Sequence, residues 1–422
     1  MLNCAVLLAG RTRCQHSGSD GAELLQAILY SWKSFCRDIP SDQKFMTDRF
    51  PLLFPGLRRG VFLVFCSFAA ICCSLTLRAD DASIREMQDA AESTEIRVPY
   101  DGFSETPINA LLAQNGPSTP VPEPPAASMA CNPATPAETG YWIVSTERAP
   151  QSFDHTLPRF SAVVSRYEHG AGLRKTSIEE LRACLQPGIP ICVMVHGSLV
   201  GDRSVEPESF RTWQWLRHGA RGRPFQMIYF RWPSYKLLTP LLSIDFAILG
   251  RRASRNGFYL AGLIKSLPPE SPLSLLGHSH GTRVISSALH LMAGGAVEEM
   301  ACPQLQCAGR QIRTVFAASA IDHDWLNPGE RFERALCSTE CLLNLRNPFD
   351  AALVMYPLRR IGSSRALGVT GLTEKDRSAL GNSHRKVRDL DVSESVGCRH
   401  FWPSYVEQTG LARAASNYLF YP

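Results

Sequence analysis

The chain has 422 residues, 45% of them hydrophobic and 20% charged, with a formal net charge of +5. That length holds one large α/β domain with extensions. The modest charge, with no zinc-finger spacing, RNA-binding signature or Walker loop, leaves no case for a nucleic-acid partner.

Residues 1–57 read as an N-terminal extension. The first 45 carry no clear periodicity, and Met46-Thr47-Asp48-Arg49 would make a conventional start, which marks the stretch as a start-site artefact. Residues 58–79 read as a signal peptide or an uncleaved N-terminal membrane anchor. Arg58-Arg59 precede a charge-free run from Val61 to Leu77, and the small residue Ala79 follows it. The run is short for a membrane span and suits an export signal better than a core helix. The expected location is periplasmic or secreted, with membrane association through residues 61–77. Neither Cys72 nor Cys73 follows the small residue that a lipoprotein signal needs.

Residues 80–140 form a linker. From Ser104 to Gly140 the composition turns to Pro, Ala, Ser and Thr, including Pro117, Pro120, Pro122, Pro124 and Pro125. Such a segment buries too little apolar surface to fold, and its prolines keep it extended. Of the fourteen cysteines, eight (131, 184, 192, 302, 307, 337, 341 and 398) follow the export segment. An even number in an exported chain permits disulfides, and Cys302/Cys307 and Cys337/Cys341 are spaced to pair as local loops. Their spacing is not of the C-x-x-C form that favours zinc. Cys192 lies in an apolar strand and reads as an inert small hydrophobe.

Residues 141–422 should hold the catalytic domain. Strands are predicted at Tyr141–Ser145, Ile191–Val195, Gln226–Phe230, Leu273–Leu276, Ile312–Ala317, Leu342–Leu345 and Val387–Val392. Helical stretches are predicted near Ser177–Cys184, Pro207–His218, Ile244–Leu267, Thr282–Ala293 and Pro403–Ala415. Alternation of this kind predicts an α/β fold: a mostly parallel sheet with helices on both faces, its chemistry at the carboxyl ends of the strands.

Gly277-His278-Ser279-His280-Gly281 sits between a buried strand and an amphipathic helix. Glycine at each end lets strand and helix approach closely and leaves Ser279 at the tip of a strained turn, the geometry of a nucleophile elbow. The alternative is a plain glycine-rich connection. His196-Gly197-Ser198 follows an earlier strand and is the natural oxyanion loop, with the N–H groups of Ser198 and His280 as donors. His196 itself is expected to hold that loop. His278 and His280 flank the serine on a tight turn and point away from it.

The general base must therefore come from another strand. His384 lies before the last strand, at its wrong end, whereas His400 follows it and can lean over Ser279. For the orienting acid, Asp350 follows the Leu342–Leu345 strand, with Asp322 as the alternative one strand earlier and Asp324 beside it. Either could instead merely cap a helix.

The order Ser279, Asp350, His400, with His196-Gly197 on an earlier strand, resembles the α/β-hydrolase superfamily. More narrowly it is similar to a poorly characterised bacterial group of serine hydrolases with a Gly-His-Ser-x-Gly elbow. In that group the first strand ends in Thr-x-Arg, seen here at Thr146-Glu147-Arg148, and a Trp-Pro-Ser follows the third, here Trp232-Pro233-Ser234. An Asp-x-Ala-Leu segment follows a late strand, here Asp350-Ala351-Ala352-Leu353. The chain departs from the pattern at His280, where an apolar residue is common, and at Ala320, where an aspartate often stands. The resemblance implies the fold, the triad and a serine-hydrolase activity.

From Arg211 to Arg255 the chain is rich in arginine, either a solvated helix face or a basic face toward an anionic lipid. Trp213, Trp215 and Trp232 are either core or the lining of an acyl pocket or lid. The expected activity is cleavage of a carboxylic ester, from a small molecule or a lipid, through an acyl-enzyme on Ser279, His400 and Asp350, with no metal or cofactor required. Acyl transfer on the same residues is the alternative, as is a non-catalytic binding module of the same fold.

Overall fold

The computed structural model describes residues 140–151, 162–235, 242–307, 309–310, 312–359 and 363–421. The expectations for the extension, the export segment and the linker fall outside the described residues. Among the described residues, no helix is long and apolar enough to cross a membrane.

The strands are β1 (Gly140–Ser145), β2 (Val163–Glu168), β3 (Gly172–Thr176), β4 (Ile191–Val195), β5 (Gln226–Arg231), β6 (Leu273–His278), the short pair β7 (Ala296–Val297) and β8 (Met300–Ala301), β9 (Ile312–Ala317), β10 (Thr339–Arg346) and β11 (Val387–Asp391). The helices are α1 (Ile178–Cys184), α2 (Asp202–Ala220), α3 (Leu242–Ser266), α4 (His280–Met292), α5 (Ala351–Val354), α6 (Leu367–Thr370), α7 (Glu374–Leu380), α8 (Ser393–Val396), α9 (Pro403–Val406) and α10 (Thr409–Leu419).

Nine strands form one sheet in the order β11-β10-β9-β6-β4-β5-β1-β2-β3. Every pairing from β11 to β1 is parallel, and β1–β2 and β2–β3 are antiparallel. The central strands are mostly apolar because helices cover both their faces. In β4, Val193 and Val195 pack with α1, α3 and α4, whereas Cys192 and Met194 pack with α2 and α10. The edge hairpin β2–β3 escaped the sequence reading. Its strands carry Arg166, Glu168, Arg174 and Lys175 and no residue of β3 is buried, so they lack the apolar alternation that marks a covered strand.

Several local expectations need correction. Helix α2 begins at Asp202, one turn earlier than predicted, with Pro207 inside it. The single closing helix is two, because Gln408 leaves the helical region at φ −93° and ψ 94° before Thr409-Gly410 starts α10. Neither predicted local cysteine pair forms a disulfide. Cys341 lies in β10, where extended chain after Ser338 carries it about 10 Å away, beyond disulfide reach from the preceding turn. Cys302 instead places its thiol 3.5 Å from the Gln304 side chain, and Cys307 is tied through its main chain to Met292. Cys184 is disulfide-bonded.

Trp213, Trp215 and Trp232 are core residues, each nearly inaccessible. The arginine-rich stretch does not make one basic face. Arg217 lies over the Trp213 ring, Arg223 bonds Ser416, Arg231 pairs with Glu147 and Asp202, and Arg255 pairs with Glu298.

Candidate active site

Ser279 joins β6 to α4 with φ 52° and ψ −125°, a conformation that a non-glycine residue rarely holds. Its N–H donates to the carbonyl of Ala317 at the end of β9 (3.0 Å). The flanking glycines are required by close approach. A Cβ on Gly281 would lie 2.2 Å from the Val195 carbonyl oxygen, and one on Gly277 would lie 3.1 Å from Thr282 N. Helix α4 therefore starts directly against the end of β4. Thr282 reinforces the turn, its hydroxyl donating to the Ser279 carbonyl (2.6 Å).

Across the sheet, Asp350 follows β10 and His400 follows α8, and the strand order carries both loops to Ser279. His400 Nε2 is 3.0 Å from Ser279 Oγ. Its Nδ1 is 2.8 and 3.1 Å from the two carboxylate oxygens of Asp350. A carboxylate only accepts, so Nδ1 carries the proton and Nε2 is left to accept from the serine hydroxyl. Asp350 is fully buried and also caps α5, accepting from the N–H groups of Ala352 and Leu353 (both 3.0 Å). Capping and orientation, weighed as alternatives from the sequence, are done by one side chain.

A strained serine at the end of the central strand β6, with an acid after β10 and a histidine after β11, completes the pattern. This is the α/β-hydrolase fold.

Within this α/β-hydrolase fold the other predicted residues separate clearly. Asp322 is buried but accepts from the Tyr356 hydroxyl (3.0 Å) and Ser364 N (3.3 Å). Asp324 accepts from the Ser364 hydroxyl (2.7 Å). Both carboxylates serve the loop after β9, and neither meets His400. His384 lies in the turn before β11, half-buried, with Nδ1 against the Gly381 carbonyl.

Ser198 and His280, the predicted oxyanion donors, are neighbours: Ser198 Oγ is 2.7 Å from His280 Nδ1. His280 is the first residue of α4, where a main-chain N–H lies outside the helical ladder. The Ser198 loop runs beside Ser279, since a Cβ on Gly197 would lie 3.0 Å from Ser279 Cβ. His196 is buried between the rings of Tyr229 and Trp232. Burial pushes its imidazole down to about 3, so it is neutral. Its Nδ1–H donates to the Gly197 carbonyl (2.7 Å), its Nε2 accepts from Trp232 N (3.1 Å), and the Trp232 indole donates back to the His196 carbonyl (2.8 Å). Ser234 extends the same clamp, its carbonyl taking Leu199 N (2.7 Å) and its hydroxyl Val200 N (3.3 Å). The Trp-Pro-Ser segment is thus the brace of the Ser198 loop.

His278 has a role that the sequence reading missed. Its Nε2–H donates to the main-chain carbonyl of His400 (2.8 Å), and its ring packs against His400, Trp402 and Tyr405. Burial, first, and the neighbouring His400, second, push it down to about 3, so it too is neutral. Asn347 ties the acid loop to the same segment, its amide donating to the Gly397 carbonyl (2.8 Å). Nothing in the local sequence signals these contacts, which join residues 50 and 122 positions apart.

No family model and no curated protein matches the sequence. Among solved structures, the catalytic core domain of acetyl xylan esterase from Trichoderma reesei aligns with 13% identity and a TM-score of 0.31, over 56% of this chain and 99% of that one. Esterase B from Lactobacillus rhamnosis aligns with 11% identity and a TM-score of 0.31, over 81% and 96%. A thermostable esterase from Pseudomonas putida aligns with 11% identity and a TM-score of 0.29, over 80% and 98%. At such values the strand order above, not the likeness, carries the fold.

Proposed function

We propose that the chain is a serine hydrolase that cleaves carboxylic esters through an acyl-enzyme. Ser279 attacks the carbonyl carbon while His400 Nε2 takes its proton. Asp350 keeps the imidazole in the reactive tautomer and stabilises the imidazolium. The N–H groups of His280 and Ser198 receive the oxyanion of the tetrahedral intermediate. Collapse expels the alcohol, protonated by His400, and water repeats the sequence to release the acid and restore Ser279.

The observation that carries this reading is the continuous Ser279–His400–Asp350 contact at 3.0 and 2.8 Å on a strained elbow. A fluorophosphonate probe tests it. Wild type should be labelled, and Ser279→Ala should lose both labelling and turnover of p-nitrophenyl esters. Labelling that persists in Ser279→Ala would overturn the assignment.

Export is part of the proposal. It is supported by the basic-then-apolar segment at residues 58–79 and by the Cys184 disulfide, a bond that persists in oxidising compartments. Mass spectrometry of the mature N-terminus tests cleavage after this segment; a product starting upstream of Val61 would contradict it.

A further inference from the structure

Large apolar side chains exposed to solvent are concentrated in one place. Among the described residues, Leu199, Phe246, Phe349, Val354, Met355 and Phe401 are between 37% and 57% exposed, and the only comparable side chain is Leu173 on the distant edge strand β3. Single exposed hydrophobes are ordinary, whereas six around one site are not.

They come from four separate segments, each of which carries or touches a residue of the site. Leu199 follows Ser198 and has φ 67°, a conformation unfavourable for a bulky side chain, with its N–H held by Ser234. The Phe246 ring lies 6.2 Å from that of His280. Phe349 immediately precedes Asp350, and Val354 and Met355 end the short helix that Asp350 caps. Phe401 follows His400, its ring 6.2 Å from the imidazole. The oxyanion side and the acid–base side of the serine are therefore both rimmed by apolar groups.

We propose that this collar seats the site on a lipid surface, so that the ester is drawn from a condensed lipid phase. The proposal rests on the serine-hydrolase reading and names its substrate class as esters of water-insoluble lipids. The position of the collar selects the occupant. A protein partner or a second copy seated there would cover Ser279 and block substrate, whereas a fluid phase that contains the substrate covers the rim and still delivers it. Burial of the six side chains in acyl chains supplies the attraction.

The test compares full-length wild type with the double variant Phe401→Ser, Val354→Ser, neither residue being part of the proton relay. The substrates are p-nitrophenyl acetate in solution and a long-chain p-nitrophenyl ester dispersed in phosphatidylcholine–phosphatidylglycerol vesicles. Acetate turnover and fluorophosphonate labelling should stay within about twofold, while turnover of the vesicle-borne ester falls about tenfold as two apolar contacts with lipid are lost. Wild-type turnover of the long-chain ester should rise sharply where it passes its solubility limit. Equal rates of wild type and variant on vesicles, or smooth saturation through that limit, would overturn the lipid-surface proposal. So would a wild-type dimer in sedimentation that the double variant dissociates. Loss of labelling and of acetate turnover in wild type itself would instead sink the serine-hydrolase reading beneath it.

Discussion

Buried rings pack on both sides of Ser279, but on the β4–β5 side the ring is also fastened to the strand ends beside it, whereas on the β10–β11 side the hydrogen bonds cross between loops. The first side stacks His196 between Tyr229 and Trp232 and fastens it at both ring nitrogens. The second relies on Asn347 to Gly397, Ala351 N to the Cys398 carbonyl (3.2 Å), and His278 to the His400 carbonyl. The oxyanion side is thus rigid by packing. His400 is positioned by contacts from separate loops, so each loop carries part of its geometry.

The largest effects should appear where that crossing side meets the chemistry. Asp350→Asn keeps an α5 cap but leaves the His400 tautomer unguided, so kcat should fall about 10⁴-fold with little change in melting temperature. Asp322→Asn should do the opposite, leaving kcat intact and destabilising by about 1–3 kcal/mol through its buried partners. Steady-state kinetics and thermal melts on the two variants distinguish the carboxylates; a kcat loss in Asp322→Asn would transfer the acid role.

Next in size is His278→Ala, which frees the main chain at His400. We expect kcat to drop about 10–100-fold at nearly constant KM, with partial rescue in His278→Gln, which retains a donor. An unchanged kcat would make His278 a packing residue alone. On the β4–β5 side, Ser234→Ala removes two long contacts with Val200, one from its N–H (3.3 Å) and one to its carbonyl (3.4 Å), and should cost about fivefold or less in kcat/KM, within the range of one net hydrogen bond. A larger loss there than in His278→Ala would reverse the comparison.

The smallest effect concerns pH. Burial raises Glu208, which accepts from the Tyr229 hydroxyl (2.7 Å), to about 7. Between its ordinary value of 4.5 and about 7, the folded state holds a proton that the unfolded chain has released, so this group's contribution to stability falls as pH rises. His196 and His278 act with the opposite sign. Their folded values near 3 lie below 6.5, so the stability of their neutral forms is present above 6.5 and is lost as pH falls toward 3. The slopes oppose one another between about 4.5 and 6.5. Glu208→Gln should therefore steepen the acid loss of melting temperature, while a curve parallel to wild type would contradict a raised carboxyl.

What the sequence determined by itself is the set of features written in short-range chemistry. The central strands show as apolar runs because both faces are covered, and the elbow shows because only glycine allows β6 and α4 to approach so closely. That Ser279, Asp350 and His400 each follow a strand was legible as well, and the structure brings the three side chains into contact. Choosing Asp350 over Asp322 as the partner of His400, giving Asp350 both a cap and an imidazole, and turning His278 toward the His400 main chain were decided only by the tertiary structure. Those contacts join loops from different strands, and their distances depend on strand order and helix packing across the whole sheet. The hairpin β2–β3 was hidden for a related reason: an edge exposed to water does not write its position in hydrophobic alternation.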